Sequence, residues 1–364
     1  MAVSRDRLRT RLFGIELHSP FILGSGPLSY DGHGMIRAHR AGAGAVTTKT
    51  IRDVPADNPY PHMALAGRDT MINAEQWSDI SGEAWTAEEI PRAKAAGVVV
   101  IGSIGHTPEE AQHWVKKVDA AGADMIELVS YNEADMLPMI LHAKKVSAKP
   151  ILAKLSPNWP DPLSSARSVL AAGADGITAM DSVGPVLRID IETGRPLTGG
   201  AMGFGWLTGS AIKPITLRYV AQIAAFCKKP IIGIGGVGSA EDGLEMLMAG
   251  ASAIGICTAP ILRGVGYIST LCDQLAALME RLGYASPASA SGTALPFLKD
   301  EEDHQAFAFA FDPAACTACM RCVRACAYGA RRLENKAMAV DEDACRLCGL
   351  CTSVCPTKAL RMVR

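Results

Sequence analysis

The stretch AAGADMIELVS, residues 120–130, ends a helix-like run with Ala-Gly and continues directly into a short apolar segment. The same arrangement recurs at RAGAGAVTTKT (40–50), AAGVVVIGSIG (95–105), AAGADGITAMD (171–181) and MAGASAIGICT (248–258). Glycine favours the left-handed conformation that closes a helix, and a continuous apolar run is typical of a parallel strand buried on both faces. The repeat predicts helices alternating with parallel strands over about the first 285 residues.

Eight strands follow from this pattern, with KKVSAKPILAKLS and FCKKPIIGIGG completing the series. They are predicted near 21–25, 45–49, 98–104, 125–130, 151–155, 176–181, 231–235 and 253–257. Eight strand–helix units in this length favour an α/β fold of the (β/α)8 TIM-barrel type. An open, doubly wound sheet is the alternative that the pattern leaves in place.

Two connections, about 50–93 and 182–212, are too long for plain strand-to-helix loops. Both follow the carboxyl end of a predicted strand, which is the face where barrel enzymes build their active sites. Long loops at such a face commonly act as lids or substrate walls. We therefore expect both segments to enclose a site.

The C-terminal region carries two cysteine runs with the spacing C-x2-C-x2-C-x3-C. This is the spacing of a two-cluster bacterial-type ferredoxin, in which the fourth cysteine of each run serves the other cluster. The predicted ligand sets for two [4Fe-4S] clusters are Cys316, Cys319, Cys322 and Cys355, and Cys345, Cys348, Cys351 and Cys326. Zinc sites favour two cysteine pairs with a longer spacer, and disulfides require an oxidising compartment, so both alternatives fit the pattern less well.

The predicted domains are a barrel over 1–284, a linker with an extended strand over 285–311, and a ferredoxin-like domain over 312–364. The linker is predicted because ASPASASGTALP (285–296) is rich in small residues. The segment AFAFAFD (306–312) alternates phenylalanine with alanine, which predicts an extended strand that packs on the cluster domain or on the barrel.

Composition excludes several classes of function. The net charge of the 364 residues is −1, and there is no basic excess of the kind that nucleic-acid binding requires. No apolar run approaches the ~18 residues of a membrane span. The N-terminal sequence MAVSRDRLRTRLFG lacks the apolar core of a secretory signal. We expect a cytoplasmic protein that contacts neither nucleic acid nor membrane.

The segment GIGGVG (233–238) matches the dinucleotide pattern G-x-G-x-x-G, but no acidic residue follows about 20 positions later. The glycines are better explained as a phosphate-binding loop after the seventh barrel strand, with Cys257 and Thr258 following the eighth. Backbone N–H groups and a helix N-terminus hold the anion in such a cradle. This arrangement suggests a mononucleotide, and beside iron–sulfur clusters the useful one is FMN.

The chain resembles the dihydroorotate dehydrogenase superfamily, and most of all the flavin and iron–sulfur portion of dihydropyrimidine dehydrogenase. The resemblance rests on several stretches in order, together with the double ferredoxin motif. They are FILGSGPLS (21–29), GAVTTKTI (44–51), INAEQWSD (72–79), KPILAKLSPN (149–158), TGSAIKPITLR (208–218), GIGGVGSAEDGLEMLMAGA (233–251) and ICTAPI (256–261).

The resemblance implies an FMN site at the carboxyl ends of the barrel strands. Lys154 would reach the N1/C2 edge of the flavin, where a cation stabilises the anionic reduced ring. Asn73 would face both cofactor and substrate. The implied cofactor-binding residues are Ser25, Gly26, Lys49, Thr50, Asn73, Lys154, Thr208, Gly209, Gly235, Gly236, Cys257 and Thr258.

The sequence departs from the family at the residues that recognise the substrate. The family's fourth-strand loop reads roughly E-L-N-x-S-C-P-N and its Cys is the active-site acid/base, whereas this chain has IELVSYNEADM (126–136), with Val129 in place of the first Asn. Ungapped, Asn132 replaces the Cys; with a gap, Tyr131 does. The family's Asn-Thr after the sixth strand is Asp181-Ser182 here.

Reduction of an activated C=C bond needs a proton donor besides the hydride. A phenol, with an ordinary pKa near 10, stays protonated at neutral pH, which favours Tyr131. A stacked loop residue is the structural alternative. The catalytic candidates are therefore Tyr131, Glu127, Asn132 and Asp181, and the substrate-binding candidates are Asn73, Asn132, Asp181 and Ser182.

These features predict an FMN- and iron–sulfur-dependent oxidoreductase that acts on a C=C or CH–CH bond next to a carbonyl or amide of a small molecule. Uracil or thymine chemistry is one option and another unsaturated substrate is the other. The chain has no second dinucleotide fold, so electrons are expected from an external donor, either an NAD(P)H-oxidising flavoprotein subunit or a ferredoxin. A homodimer is compatible with the resemblance. The alternative function is an electron-transfer subunit whose barrel has lost catalysis.

Overall fold

The computed structural model describes residues 4–299 and 307–363. The chain divides into two compact units, Met1–Leu298 and Lys299–Arg364, which we call the barrel unit and the ferredoxin unit. The strands are β1 Thr10–Leu12, β2 Ile15–Leu17, β3 Phe21–Leu23, β4 Ala45–Thr47, β5 Met63–Gly67, β6 Thr70–Asn73, β7 Val100–Gly105, β8 Met125–Val129, β9 Ile151–Lys154, β10 Gly176–Ala179, β11 Val183–Val186, β12 Gly205–Gly209, β13 Ile231–Ile234, β14 Ala253–Ile256, β15 Ala308–Phe311, β16 Arg331–Glu334, β17 Ala337–Val340 and β18 Leu360–Val363.

The α-helices are α1 Gly32–Arg40, α2 Gly82–Ala84, α3 Ile90–Ala95, α4 Pro108–Ala120, α5 Glu133–Val146, α6 Pro162–Ala171, α7 Lys213–Phe226, α8 Ala240–Met248, α9 Thr258–Arg263, α10 Tyr267–Leu282, α11 Pro287–Ala290, α12 Arg321–Arg324 and α13 Leu350–Ser353. A π-helical turn, Trp85–Glu89, joins α2 to α3. Within the described residues, no helix is both long and apolar enough to cross a membrane.

Eight parallel strands close into a barrel in the order β3, β4, β7, β8, β9, β10, β13 and β14. Each strand coincides with one that the sequence predicts, and their order around the barrel is their order along the chain. The TIM-barrel prediction is confirmed, and the open doubly wound sheet is excluded because β14 pairs with β3.

The strands form where the sequence places apolar runs. All five residues of β8 are buried, since helices cover the outside of the barrel and side chains fill its interior. The glycine before this strand, Gly122, has φ +102°, a conformation that strains other residues, and it ends α4 as expected. The helix-closing glycine thus marks the end of the helix in each repeat.

A short hairpin that the sequence analysis did not predict closes the amino-terminal end of the barrel. β1 and β2 are antiparallel and turn at Phe13-Gly14, both with positive φ. Leu12 and Leu17 from this hairpin pack in one buried cluster with the strand residues Ile101, Met125 and Leu152, among others. The opposite end of the barrel is therefore the one that remains available for a site.

The two long connections fold together rather than as separate loops. β5 and β6 come from the first connection, β11 and β12 from the second, and they form one antiparallel sheet in the order β11, β12, β6, β5. This lid sheet places Trp206 directly opposite Asn73. Both connections follow carboxyl ends of barrel strands, so the lid sheet belongs to the predicted active-site end.

The predicted linker differs from the structure over its first half. Residues 286–298 contain α11 and a 3-10 turn, and they belong to the barrel unit. Pro287 and Ala290 are buried, and Leu295 packs against the barrel core. Small residues were interpreted as a flexible connection, whereas here they allow close packing.

The ferredoxin unit contains two antiparallel pairs, β15 with β18 and β16 with β17. β15 is the extended strand predicted from the Phe-Ala alternation, and it packs within the ferredoxin unit. Residues 300–306 of the predicted linker, which precede this strand, lie outside the described part of the chain.

Candidate functional site

Two adjoining compartments lie at the carboxyl ends of the barrel strands. The glycine compartment encloses about 690 Å³ of space and the aromatic compartment about 520 Å³, part of each open to solvent. Ten predicted cofactor residues line the glycine compartment: Ser25, Gly26, Asn73, Lys154, Thr208, Gly209, Gly235, Gly236, Cys257 and Thr258. The other two, Lys49 and Thr50, line the aromatic compartment. The structure therefore brings all twelve together.

The glycine compartment has the backbone of a phosphate cradle. Gly235 and Gly236 have φ values of +122° and +89°, and a Cβ on Gly236 would lie 2.5 Å from the backbone nitrogen of Lys213. The two glycines therefore allow this loop to pack directly against the start of α7, and both line the compartment. Apolar residues continue the wall, among them Met71 and Ile234. A polar backbone cradle beside an apolar wall fits the phosphate and ring of FMN.

Lys154, at the end of β9, is the cation shared by both compartments. Its ammonium lies 3.4 Å from Asp181 Oδ1. Burial opposes the charge on Lys154, but the carboxylates of Asp181 and Glu127 outweigh it and raise the pKa of the ammonium. Lys154 therefore stays protonated, which is what stabilisation of an anionic reduced flavin requires.

Lys49, after β4, is paired differently. Its ammonium contacts Glu75 Oε1 at 2.6 Å, and both side chains are less than a tenth exposed. A buried pair of this kind is costly to break because it leaves one charge unpaired. Glu75 follows β6 in the lid sheet, so the lid neutralises the charge of a barrel lysine.

Glu127 lies beneath the compartments rather than in them. Its carboxylate is buried in β8, and Ser103 Oγ donates to it at 3.3 Å. Thr50 and Ser103 hydroxyls are 3.0 Å apart, and Ser25 and Thr50 hydroxyls 3.3 Å apart. Burial raises the pKa of Glu127, opposed by the nearby Lys154 ammonium. Glu127 therefore lines neither compartment and is connected to them by hydroxyl groups, and its catalytic role stays a prediction.

Tyr131 forms part of an aromatic wall. Its ring is stacked parallel to Trp206, with centroids 5.6 Å apart, and lies 4.8 Å from Trp77. All three rings line the aromatic compartment. Tyr131 is therefore both stacked on its neighbours and part of the compartment wall. The two alternatives weighed for it, a group facing the substrate and a stacked loop residue, are compatible with each other.

The electrostatic surroundings keep the Tyr131 phenol neutral. Burial and the Asp181 carboxylate raise the pKa of Tyr131 to about 12, although about half of the residue's surface is exposed. A group with this pKa holds its proton throughout the neutral range. It can donate a hydrogen bond or a proton from Oη, and it is a poor base.

Asn132 lies outside both compartments, and its side-chain oxygen accepts the backbone N–H of Ala134 to begin α5. Asparagine at a helix start commonly makes this bond. Of the two residues that could replace the family's Cys, Tyr131 is therefore the one that lines the aromatic compartment, and its catalytic role stays a prediction.

The remaining substrate-binding candidates lie where they were expected. Asp181, Ser182 and Asn73 line both compartments. The Asn73 side-chain oxygen accepts the Glu75 backbone N–H at 2.7 Å, so its NH₂ group is the donor left for a ligand. Four further residues that line the aromatic compartment were missed: Glu75, Gln76, Trp77 and Trp206. INAEQWSD contains the first three, but which of its residues turn inward depends on the lid sheet.

The ferredoxin unit brings the first predicted ligand set together. Cys316, Cys319, Cys322 and Cys355 line one cavity of about 320 Å³, with apolar neighbours such as Phe311 and Leu360. The fourth cysteine comes from the second run, as the crossed ligand pattern requires. This shared cavity supports the assignment of the first set to one cluster.

The two halves of the ferredoxin unit repeat at an offset of 29 residues. Asp312 and Asp341 each accept backbone N–H groups at the start of a cysteine loop. Left-handed residues occur at matching positions, Ala318 with Leu347 and Met320 with Gly349. By this repeat the second set of cysteines, Cys345, Cys348, Cys351 and Cys326, is the counterpart of the first, and its ligand role stays a prediction.

Comparison with known proteins gives matches over both units. A family profile described as dihydroorotate dehydrogenase matches residues 7–279, and one described as 4Fe-4S dicluster domain matches residues 315–359. The catalytic subunit of dihydroorotate dehydrogenase B (NAD(+)) from Pyrococcus abyssi is 34% identical over 304 residues, 79% of this chain and 99% of that protein. The subunit of the same name from Methanothermobacter thermautotrophicus is 33% identical over 296 residues, 77% and 95% of the two chains.

Proposed function

This chain belongs to the dihydroorotate dehydrogenase family, and we propose that it oxidises or reduces the CH–CH bond of an uncharged cyclic amide of the uracil or thymine type. Family membership makes it an FMN-dependent oxidoreductase acting on CH–CH groups, and the dicluster domain adds iron–sulfur clusters. When bound, FMN exchanges a hydride with the substrate and the clusters exchange single electrons with a donor. The proposal concerns the substrate, the residues that read it, and the donor.

One observation carries the proposal: the charges that line the aromatic compartment cancel. Its two cations, Lys49 and Lys154, contact the carboxylates of Glu75 and Asp181. Nearby Arg52 is held by Glu110 at 2.8 Å. A substrate carboxylate placed here would meet two carboxylates and no unpaired lysine, and like-charge contacts of this kind cost several kcal/mol. The compartment therefore favours a neutral ligand.

The lining also matches what an uncharged pyrimidine presents. Such a ring has N–H donors and carbonyl acceptors along its edge. Asp181 offers a carboxylate acceptor, while the NH₂ group of Asn73 and the ammonium of Lys154 offer donors. The rings of Trp77 and Trp206 provide flat apolar walls of the kind that stacks against planar ligands.

Dihydroorotate is the second candidate, because the relatives from Pyrococcus abyssi and Methanothermobacter thermautotrophicus carry it in their names. It differs from dihydrouracil by one carboxylate. The charge balance of the aromatic compartment therefore distinguishes the two candidates. A comparison of dihydrouracil with dihydroorotate tests which of them the compartment accepts.

The test mixes the oxidised holoprotein anaerobically with dihydrouracil, dihydrothymine or dihydroorotate and follows flavin bleaching by stopped flow. Bleaching by the uncharged compounds, with dihydroorotate at least about 100-fold slower, supports the proposal. Fast bleaching by dihydroorotate alone contradicts it. Bleaching by none of these compounds, with flavin reduction only by a protein donor, supports the alternative of an electron-transfer subunit.

The Asp181 carboxylate should be the main barrier to anionic substrates. We expect Asp181→Asn, which keeps the shape and removes the charge, to tighten orotate binding about tenfold or more while leaving uracil binding within a few-fold. Spectral titration of bound FMN with each ligand measures both constants. Asp57→Asn, a change at an exposed loop residue, is the matched control. Equal orotate affinity in all three proteins would remove Asp181 from substrate selection.

The electron donor is proposed to be a separate protein, either an NAD(P)H-oxidising flavoprotein subunit or a ferredoxin. The relatives are named catalytic subunits of an NAD(+)-dependent enzyme, which supports a subunit of the first kind. Titration of the purified chain with NADH and NADPH tests this: rapid cluster reduction by either nucleotide alone would contradict the need for a partner.

A further inference from the structure

Arg331, the first residue of β16, is a buried cation that forms no ion pair with any residue in the described part of the chain. Only 3% of its surface is exposed, and neither Nη1 nor Nη2 has a hydrogen-bond partner within residues 4–299 and 307–363. Its guanidinium lies 4.1 Å from the ring centroid of Phe309. Burial of an arginine without a compensating charge is strongly unfavourable. The position therefore calls for an anion that the described residues, 4–299 and 307–363, do not supply.

The 29-residue repeat identifies what lies beside Arg331. Leu360 is its counterpart in the second half, and Leu360 lines the cavity of the first cysteine set. The strand pairs agree, since Arg331 pairs with Val340 as Leu360 pairs with Phe311. The repeat thus puts Arg331 at the equivalent wall of the second set, Cys345, Cys348, Cys351 and Cys326.

A second pair of residues leads to the same place. Met338, in β17, lines the cavity of the first cysteine set. Its counterpart 29 residues earlier is Phe309, which by the same repeat faces the second set. Phe309 is the ring against which the Arg331 guanidinium stacks. Both correspondences under the 29-residue repeat therefore place this cation beside the second cluster site.

We propose that Arg331 is the counter-charge of the cluster bound by the second cysteine set and that it stabilises the reduced state of that cluster. A [4Fe-4S] cluster with four thiolates carries a net charge of −2 when oxidised and −3 after it accepts one electron from the donor, with no proton taken up. A fixed guanidinium nearby lowers the energy of the −3 state more than that of the −2 state. Hydrogen bonds to cluster sulfurs act in the same direction.

The proposal makes the two clusters unequal. The equivalent wall of the first cluster site is the uncharged Leu360, so only the second receives this stabilisation. At equilibrium the electron should reside preferentially at the second cluster. This inference goes beyond the substrate proposal and does not depend on it, because it concerns only the cluster-binding unit.

The test is a potentiometric titration of the full-length, iron-reconstituted protein, followed by electron paramagnetic resonance, with iron content measured in every variant. Arg331→Leu introduces the residue that the first half has at this position. At a fixed potential, the ratio of reduced to oxidised protein for one cluster should fall about tenfold, which corresponds to a 59 mV lower potential for a one-electron couple. The other cluster should move much less. Arg331→Lys, which keeps the charge, should stay close to the unmodified protein.

Two controls make the result decisive. Arg332→Leu removes the neighbouring exposed charge and should leave both clusters within about twofold. Leu360→Arg places the same charge beside the first cluster and should raise its potential instead. Equal shifts in Arg331→Leu and Arg332→Leu, or no shift in Arg331→Leu with iron content intact, would overturn the proposal. If Arg331→Leu fails to retain iron, the comparison of Arg331→Lys with Arg331→Gln decides in its place.

Discussion

Replacing Tyr131 with phenylalanine should slow the half-reaction with the small molecule by about 100-fold or more, the usual contribution of a positioned general acid. The variant removes only Oη. The ring keeps its stacking on Trp206 and Trp77, so the aromatic compartment should keep its shape. Because the family's cysteine is absent from the fourth-strand loop, the phenol is the lining group best placed to hold the transferred proton.

Stopped-flow reoxidation of the reduced flavin by the unsaturated form of the substrate, the direction in which Tyr131 donates its proton, measures this step apart from electron exchange with the donor. FMN content and substrate binding should remain unchanged. Tyr30→Phe, at an exposed tyrosine outside both compartments, serves as the control. Unaltered turnover in Tyr131→Phe would show that another group donates the proton. The next candidate would be Glu127, acting through the chain of hydroxyl groups.

The pH dependence provides a second measurement of the same role. A donor must be protonated to act, and the pKa of Tyr131 is raised to about 12. Reduction of the substrate should therefore show no loss from ionisation of this phenol as the pH rises through 8, 9 and 10. A loss near pH 10, the range of an ordinary phenol, would mean that Tyr131 lies in an unperturbed environment.

Replacing Lys154 with methionine should weaken FMN binding by about 100-fold and destabilise the barrel by roughly 3–5 kcal/mol. The ammonium lies 3.4 Å from Asp181 and supports the buried Glu127, so its removal leaves two carboxylates without their cation. Breaking a buried pair from one side has a cost of this order. Fluorescence titration with FMN and chemical denaturation measure the two effects.

A double variant separates the two roles of Lys154. Lys154→Met with Glu127→Gln removes the buried unpaired carboxylate, so stability should largely return while FMN affinity stays low. Lys144→Met breaks a partly exposed pair with Asp175 and should change FMN affinity little. Retention of full FMN affinity in Lys154→Met would show that this lysine does not contact the cofactor.

The sequence was most informative where function depends on local spacing. The resemblance implied Lys154 and Lys49 as cofactor residues, and the repeat placed both at the ends of predicted parallel strands, which all end at the same rim. The cysteine runs were similarly clear, because three ligands two residues apart on a tight loop can face one corner of a cluster. In both cases the sequence signal, a strand end or a cysteine spacing, extends over only a few residues.

The ambiguity at Tyr131 and Asn132 shows where this reasoning stops. The two residues are adjacent in a loop, and an alignment gap of one position exchanges their roles. The start of α5 decides between them: Asn132 caps the helix and the preceding residue is left to face the compartment. Side-chain direction in a loop depends on the elements that follow, which residue types alone do not specify.

By itself, the sequence determined the barrel, the cluster-binding unit and the rim on which the cofactor residues meet, because helix-closing glycines, buried apolar runs and cysteine spacing act over a few residues. Only the tertiary structure decided the charge and walls of the site. Glu75 neutralises Lys49, Trp206 lies opposite Asn73, and Arg331 is buried over Phe309. These three contacts join residues 26, 133 and 22 positions apart in the sequence, and each joins parts of the chain that belong to or follow different elements. Such contacts depend on how the whole chain packs, so no single stretch encodes them.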